Sequence, residues 1–218
     1  MDRRENQSEA RQDSRSGLRL LILQHPKEAK RRGGTSSMVA ANHTLTRVQR
    51  GLGWPNLKKA WSRDGKDALK PGGKWAVLYV GGRGEAAKVG DEPGVYEISK
   101  SGVKAVDLSE KYEGVVLIDG NWKEAKTLWW RNAWLLRLKR LVLVQEKSSN
   151  LRARRAANKT ALSTAECAAY CLKYLGNRPD LAEKIFQAYE QALTSPEPEA
   201  PAPDLRPSSA RPRANRPS

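Results

Sequence analysis

The sequence predicts an α/β fold in which a mainly parallel sheet is flanked by helices on both faces. Short apolar runs at 18–23, 75–80, 115–118 and 141–144, unbroken but for Arg19, read as strands buried on both faces, because a strand with one wet face alternates apolar and polar residues instead. Segments with helical spacing lie between and after these runs. That alternation of the two periods is what a parallel sheet with crossover helices requires.

The elements follow in order. The run at 18–23 is ended by Gln24-His25-Pro26, and 27–32 is expected as a short helix with Pro26 at its first position, where the missing N–H has no helical partner to lose. The run at 75–80 is closed by Gly81-Gly82. Val95, Tyr96 and Ile98 form a short strand beyond the turn Glu92-Pro93-Gly94, as one half of a hairpin. The β-branched run at 115–118 passes through Asp119 and Gly120 into Trp122, Ala125 and Trp129 at helical spacing, so strand becomes helix across Gly120 and continues to about Arg131. A last strand covers 141–144. Ser163, three residues before Glu166, predicts a capping box whose helix buries Cys167, Ala168, Cys171, Leu172 and Leu175 and stops at Gly176. An amphipathic helix over 181–193, with Ile185, Ala188, Tyr189 and Ala192 on one stripe, completes the body.

The chain of 218 residues suits one domain with tails. Residues 1–16 have almost no apolar content, and 194–218 hold seven of the twelve prolines, so neither can offset the entropy of ordering and both are expected to be flexible. The formal net charge is +16, and the two end segments contribute zero and +1, which leaves +15 on the body at 17–193. Such an excess on a folded body points to a polyanion such as nucleic acid. Lys27, Lys30, Arg31 and Arg32 follow the first strand. Nine bases against one acid lie between Arg131 and Lys159, densest at Arg152, Arg154 and Arg155 in an expected loop. Contacts of this kind to phosphates add salt-sensitive affinity without reading sequence. Among the tryptophans, Trp129 is expected in the core, and Trp130 or Trp134 exposed for base stacking.

The two cysteines, Cys167 and Cys171, can build neither a disulfide framework nor a four-ligand zinc site, and are expected in the core. No apolar run reaches 18 residues and the start of the chain is polar, so a membrane span and a secretory signal are not expected and a cytoplasmic protein is. Gly81-Gly82-Arg83-Gly84 lacks the Lys-Ser/Thr ending of a phosphate-binding loop. His25, at a strand end, is expected to be structural.

Asp119 is the candidate for chemistry, since ligand sites of open α/β folds lie at the carboxyl ends of buried strands. An aspartate at such a corner also serves as a plain helix cap, and the spacing leaves both roles open.

Three motifs in order resemble the DTW-domain family: Leu23-Gln24-His25-Pro26-Lys27-Glu28, Leu117-Ile118-Asp119-Gly120-Asn121-Trp122-Lys123-Glu124-Ala125 and Leu162-Ser163-Thr164-Ala165-Glu166. The resemblance covers roughly 18–193. It departs from the family twice: Asn121 stands where the naming motif usually has Thr, and the paired zinc-ligand cysteines that many members carry ahead of the first strand are absent, as in a shorter branch.

The resemblance implies a fold related to the knotted SPOUT methyltransferases, with a C-terminal trefoil knot. It also implies transfer of the 3-amino-3-carboxypropyl group from S-adenosylmethionine to uridine N3 in tRNA, with release of methylthioadenosine and no metal. Asp119 would be the catalytic base or the orienter of the nucleophile. The cofactor pocket would come from three turns, supplying Val80 and Gly81, then Ile118, Asp119, Gly120, Asn121 and Trp122, then Leu162, Ser163 and Thr164. The alternatives are a methyltransferase on the same cofactor, ribosomal RNA as substrate, and an RNA-binding module without chemistry. Oligomeric state stays open, with a monomer as the default expectation.

Overall fold

The computed structural model describes residues 17–30, 34–62, 69, 72–78, 92–99, 102–106, 112–144 and 162–194. Seven strands form one sheet: β1 (Arg19–Gln24), β2 (Thr46–Arg50), β3 (Trp75–Leu78), β4 (Gly94–Ser99), β5 (Gly102–Ala105), β6 (Gly114–Asp119) and β7 (Lys139–Val144). Their spatial order is β2-β1-β6-β3-β7-β4-β5. Neighbours from β2 to β7 are parallel, and β4 and β5 add an antiparallel hairpin at the far edge. The expected mainly parallel sheet is therefore what forms, and Val95, Tyr96 and Ile98 are indeed one arm of a hairpin.

Helices cover both faces, and the apolar runs split between them residue by residue. Leu20 and Ile22 of β1 and Val115 and Leu117 of β6 join one core, against α1 (Thr35–Asn42), α4 (Thr164–Tyr174) and α5 (Pro179–Thr194). Leu21, Leu23 and Val116 join the other, against α2 (Leu57–Trp61), α3 (Trp122–Arg131) and a 3-10 turn at Ala133–Arg137. This is the period of two of a strand with both faces covered. Leu20, Leu21, Ile22 and Leu23 are wholly inaccessible, each contributing about 1.5–3 kcal/mol by leaving water. Gly114 opens β6 beneath the Trp75 ring, where a Cβ would sit 2.5 Å from a ring carbon, so this strand position has room for glycine only.

Several elements differ from expectation. Of the helix expected at 27–32, the described residues form a 3-10 turn at Glu28–Lys30, and α1 begins at Thr35. Neither α1 nor β2 is announced by its residues. The first buries only Ser36 and Val39, and the second, Thr-Arg-Val-Gln-Arg, is a charged edge strand. The helix after Ser163 ends at Tyr174, and the left-handed residue beyond it is Asn177 (φ 49°), not Gly176. Gly176 serves close approach instead, because a Cβ there would lie 2.9 Å from the Leu172 carbonyl oxygen. Among the described residues no helix is long and apolar enough to cross a membrane.

Candidate active site at the ends of the central strands

Strand parity decides which way Asp119 points. With Val115 and Leu117 it belongs to the face covered by α1 and α4, whereas the helix that follows it, α3, covers the opposite face. Asp119 is therefore turned away from its own helix. The cap of α3 is Asn121: its side chain accepts from the Glu124 N–H at 3.0 Å, and Glu124 Oε2 accepts from the Asn121 N–H at 2.9 Å. This reciprocal box takes over the capping role that sequence alone left open for Asp119. Gly120 makes the corner possible, since a Cβ there would lie 2.8 Å from Glu124 Cβ.

Three side chains from three other elements converge on the Asp119 carboxylate, which is only 6% exposed. Gln24, its register partner at the end of β1, donates Nε2–H to Oδ2 at 2.9 Å. Ser36, on the first turn of α1, donates its hydroxyl to the same oxygen. Thr164, the first residue of α4, donates Oγ1–H to Oδ1 at 2.6 Å. A carboxylate offers about four acceptor positions. Among the described residues three are filled, which leaves one on Oδ1. Burial of an anion with three donors is tolerated because each bond is charge-assisted, typically worth about 1.5–3 kcal/mol.

The support extends one layer outward. Arg50, at the end of β2, donates Nε–H to Gln24 Oε1 at 3.0 Å. His25 gives its backbone N–H to the Asp119 carbonyl at 2.9 Å and accepts the Lys27 N–H on Nδ1 at 3.2 Å, which fixes the turn after β1. That is the structural role expected of it. Beside Gln24, between β1, α1 and β2, lies a pocket of about 560 Å3, lined among others by Gln24, Gly34, Val48 and Arg50.

Of the predicted residues, Ile118, Asp119, Gly120, Asn121 and Trp122 form one turn, and Leu162, Ser163 and Thr164 form a second that the Thr164–Asp119 bond joins to it. Ser163 makes the predicted capping box, accepting from the Glu166 N–H at 3.2 Å while Glu166 Oε2 accepts from the Ser163 N–H at 2.7 Å. Lys27 and Lys30 are exposed on the turn after β1. Val80, Gly81, Arg31, Arg32, Arg152, Arg154 and Arg155 lie outside the described residues. Trp134 is a correction: it is 9% exposed and donates its indole N–H to the Trp54 carbonyl at 3.0 Å, whereas Trp122 and Trp130 are the exposed tryptophans, at 58% and 68%. Cys171 is buried and its thiol is pushed up to about 12 by burial; Cys167 is raised too, first by burial and then by the neighbouring Cys171, Glu166 and Asp119. Neither is poised as a nucleophile. Among the described residues no cluster of His, Cys, Asp and Glu is arranged to hold a metal ion.

Gln24, Ser36 and Arg50 were not singled out as site residues by sequence reasoning. Gln24 and Arg50 carry a retrospective signal, each being the polar last residue of a strand, whereas Ser36 sits in a helix with no distinctive pattern.

Comparison with known proteins matches this frame. The chain is 29% identical over 179 residues to tRNA-uridine aminocarboxypropyltransferase 2 of Drosophila melanogaster, an alignment covering 77% of this chain and 60% of that protein. This chain thus spans less than two thirds of that relative's length. No solved structure matches. The family model described as the DTW domain matches residues 7–195, and with Asp119, Asn121 and Trp122 together at the turn after β6, the chain belongs to the DTW-domain family.

Proposed function

We propose that this protein transfers the 3-amino-3-carboxypropyl group of S-adenosylmethionine to N3 of a uridine in tRNA. The observation that carries the reading is the Asp119 carboxylate, buried at the end of β6, released from capping by Asn121 and held by donors from β1, α1 and α4. The similarity to a tRNA-uridine aminocarboxypropyltransferase supports the same reaction.

S-adenosylmethionine would supply a sulfonium-activated alkyl group, with methylthioadenosine as what leaves. The residues present suit such a donor substrate. The turns at 118–122 and 162–164 place backbone polar groups at the carboxyl ends of the sheet, where small-molecule sites of open α/β folds are found. Val80 and Gly81 would complete the pocket from the turn after β3. A SPOUT-like fold with a C-terminal trefoil knot belongs to the same proposal.

Asp119 is the residue assigned to the acceptor. Uridine N3 carries a weakly acidic imide proton, and the remaining acceptor position on Oδ1 receives that N–H. Orientation comes first, because Gln24, Ser36 and Thr164 hold the carboxylate from three directions and a fixed partner converts encounter into aligned attack. Proton acceptance follows in the same contact as the N–C bond forms. RNA would be drawn to the carboxyl ends of the strands by Lys27 and Lys30, with Arg31, Arg32, Arg152, Arg154 and Arg155 as further proposed contacts in a cytoplasmic setting.

Mass spectrometry of nucleosides from tRNA incubated with the purified protein and S-adenosylmethionine tests the reading. Aminocarboxypropyluridine with stoichiometric methylthioadenosine is expected. A methylated nucleoside with S-adenosylhomocysteine, or no modified nucleoside, would overturn it.

A further inference from the structure

Asp119 does not line the pocket beside Gln24, yet the two are joined. An arginine can only donate, so Arg50 Nε–H must face Gln24 Oε1, and the amide is thereby turned with Nε2 toward Asp119. Gln24 is a wall of the pocket on one side and a support of the carboxylate on the other. A ligand in the pocket is therefore separated from Asp119 by the width of that side chain. Asp119 is not among the lining residues, which suits the reacting base's neighbour better than the base itself.

The lining says which neighbour. The volume, about 560 Å3, falls in the range of small-molecule sites. Gly34 and Ala40 leave the floor open, and Arg50 and Glu28 put opposite charges in the lining. Arg50 is exposed, and among the described residues only its Nε is committed, to Gln24, so the other guanidinium N–H groups can grip a phosphate. Glu28 can accept from a ribose hydroxyl or a base amino group. Lys27 and Lys30, exposed on the turn that supplies Glu28 and Ala29, bias the mouth toward a polyanion.

The geometry points to this pocket as the binding site for a nucleotide of the RNA adjoining the modified uridine. The assignment rests on the transferase reading above, and it makes Arg50 a positioning residue that couples RNA occupancy to the orientation of Gln24 and Asp119.

Filling the pocket tests it. Ala40→Leu, a good helix former on α1, is expected to weaken binding of unmodified tRNA transcript at least tenfold while the Kd for S-adenosylmethionine stays within twofold. Ala29→Leu fills from a different wall and gives the same result if one variant fails to fold. Unchanged tRNA affinity in the folded variants overturns the proposal, as does a loss of S-adenosylmethionine affinity, which would make the pocket the donor site. Absence of aminocarboxypropyluridine from wild-type reactions overturns the transferase reading, whereas product formation with tRNA affinity indifferent to pocket filling overturns the pocket alone.

Discussion

Replacing Asn121 separates capping from chemistry, because Asn121 and Asp119 lie two residues apart and serve opposite faces of the sheet. In Asn121→Ala the bond lost is the one from the Glu124 N–H, at 3.0 Å. The reciprocal bond, from the Asn121 N–H to Glu124 Oε2 at 2.9 Å, is donated by backbone and survives. The cost is one cap interaction, about 1 kcal/mol. Asn121→Thr restores the residue usual in the family's naming motif and keeps a capping oxygen, so its cost is a few tenths of a kcal/mol by the ranking of cap residues. Urea denaturation reads both values from the midpoint at constant slope. Turnover at saturating substrates should stay within about twofold in each variant, because no atom that contacts Asp119 has moved. A loss of activity of tenfold or more, in a variant whose stability is near wild type, would refute the assignment of Asn121 to capping and place its side chain against a ligand.

Other consequences follow from the same contacts. Thr164→Val keeps the shape of the side chain but removes the donor 2.6 Å from Asp119 Oδ1, so stability should fall by about 1.5–3 kcal/mol, and Thr164→Ser should recover most of it; equal losses in the two would contradict the bond. His43 is 5% exposed with Nδ1 2.8 Å from Thr46 Oγ1, and burial first, then the Arg178 guanidinium, lower it from 6.5 to about 4. The unfolded chain thus binds this proton first as pH falls. Stability from His43 is complete above about 6.5 and declines toward about 4, by about 3 kcal/mol at most, and His43→Asn should flatten that part of the pH–stability curve; an unchanged curve would contradict it.

Much of this architecture could be read from residue order. The four apolar runs became β1, β3, β6 and β7, and the switch of period at Gly120 marked the junction of β6 and α3. Ser163 and Glu166 announced the start of α4 because capping chemistry is local. What stayed hidden depends on tertiary context. β2 carries two arginines and a glutamine on a sheet edge, and α1 has no strong apolar stripe, so neither shows a period. Ser36 and Gln24 acquire their roles only when α1 folds over the end of β1. Trp134 sat where spacing suggested exposure, yet the Asn132 turn folds its ring under Trp54, where both tryptophans meet the Asn132 side chain. The Asp119 corner was legible as a strand-to-helix junction that carries a carboxylate. Its division of labour, Asn121 as cap and Asp119 as the carboxylate facing the other way, followed from strand parity once the covering helices were known.

The most direct measurement compares wild type with Asp119→Asn in the nucleoside assay, with tRNA and S-adenosylmethionine binding measured on the same preparations. Asparagine keeps the size of the side chain but removes the charge that Gln24, Ser36 and Thr164 surround. The expected result is loss of aminocarboxypropyluridine by at least a hundredfold, as for removal of a positioned base, in a folded protein that still binds tRNA. Turnover near the wild-type rate in Asp119→Asn would contradict the assignment of the acceptor chemistry to this carboxylate.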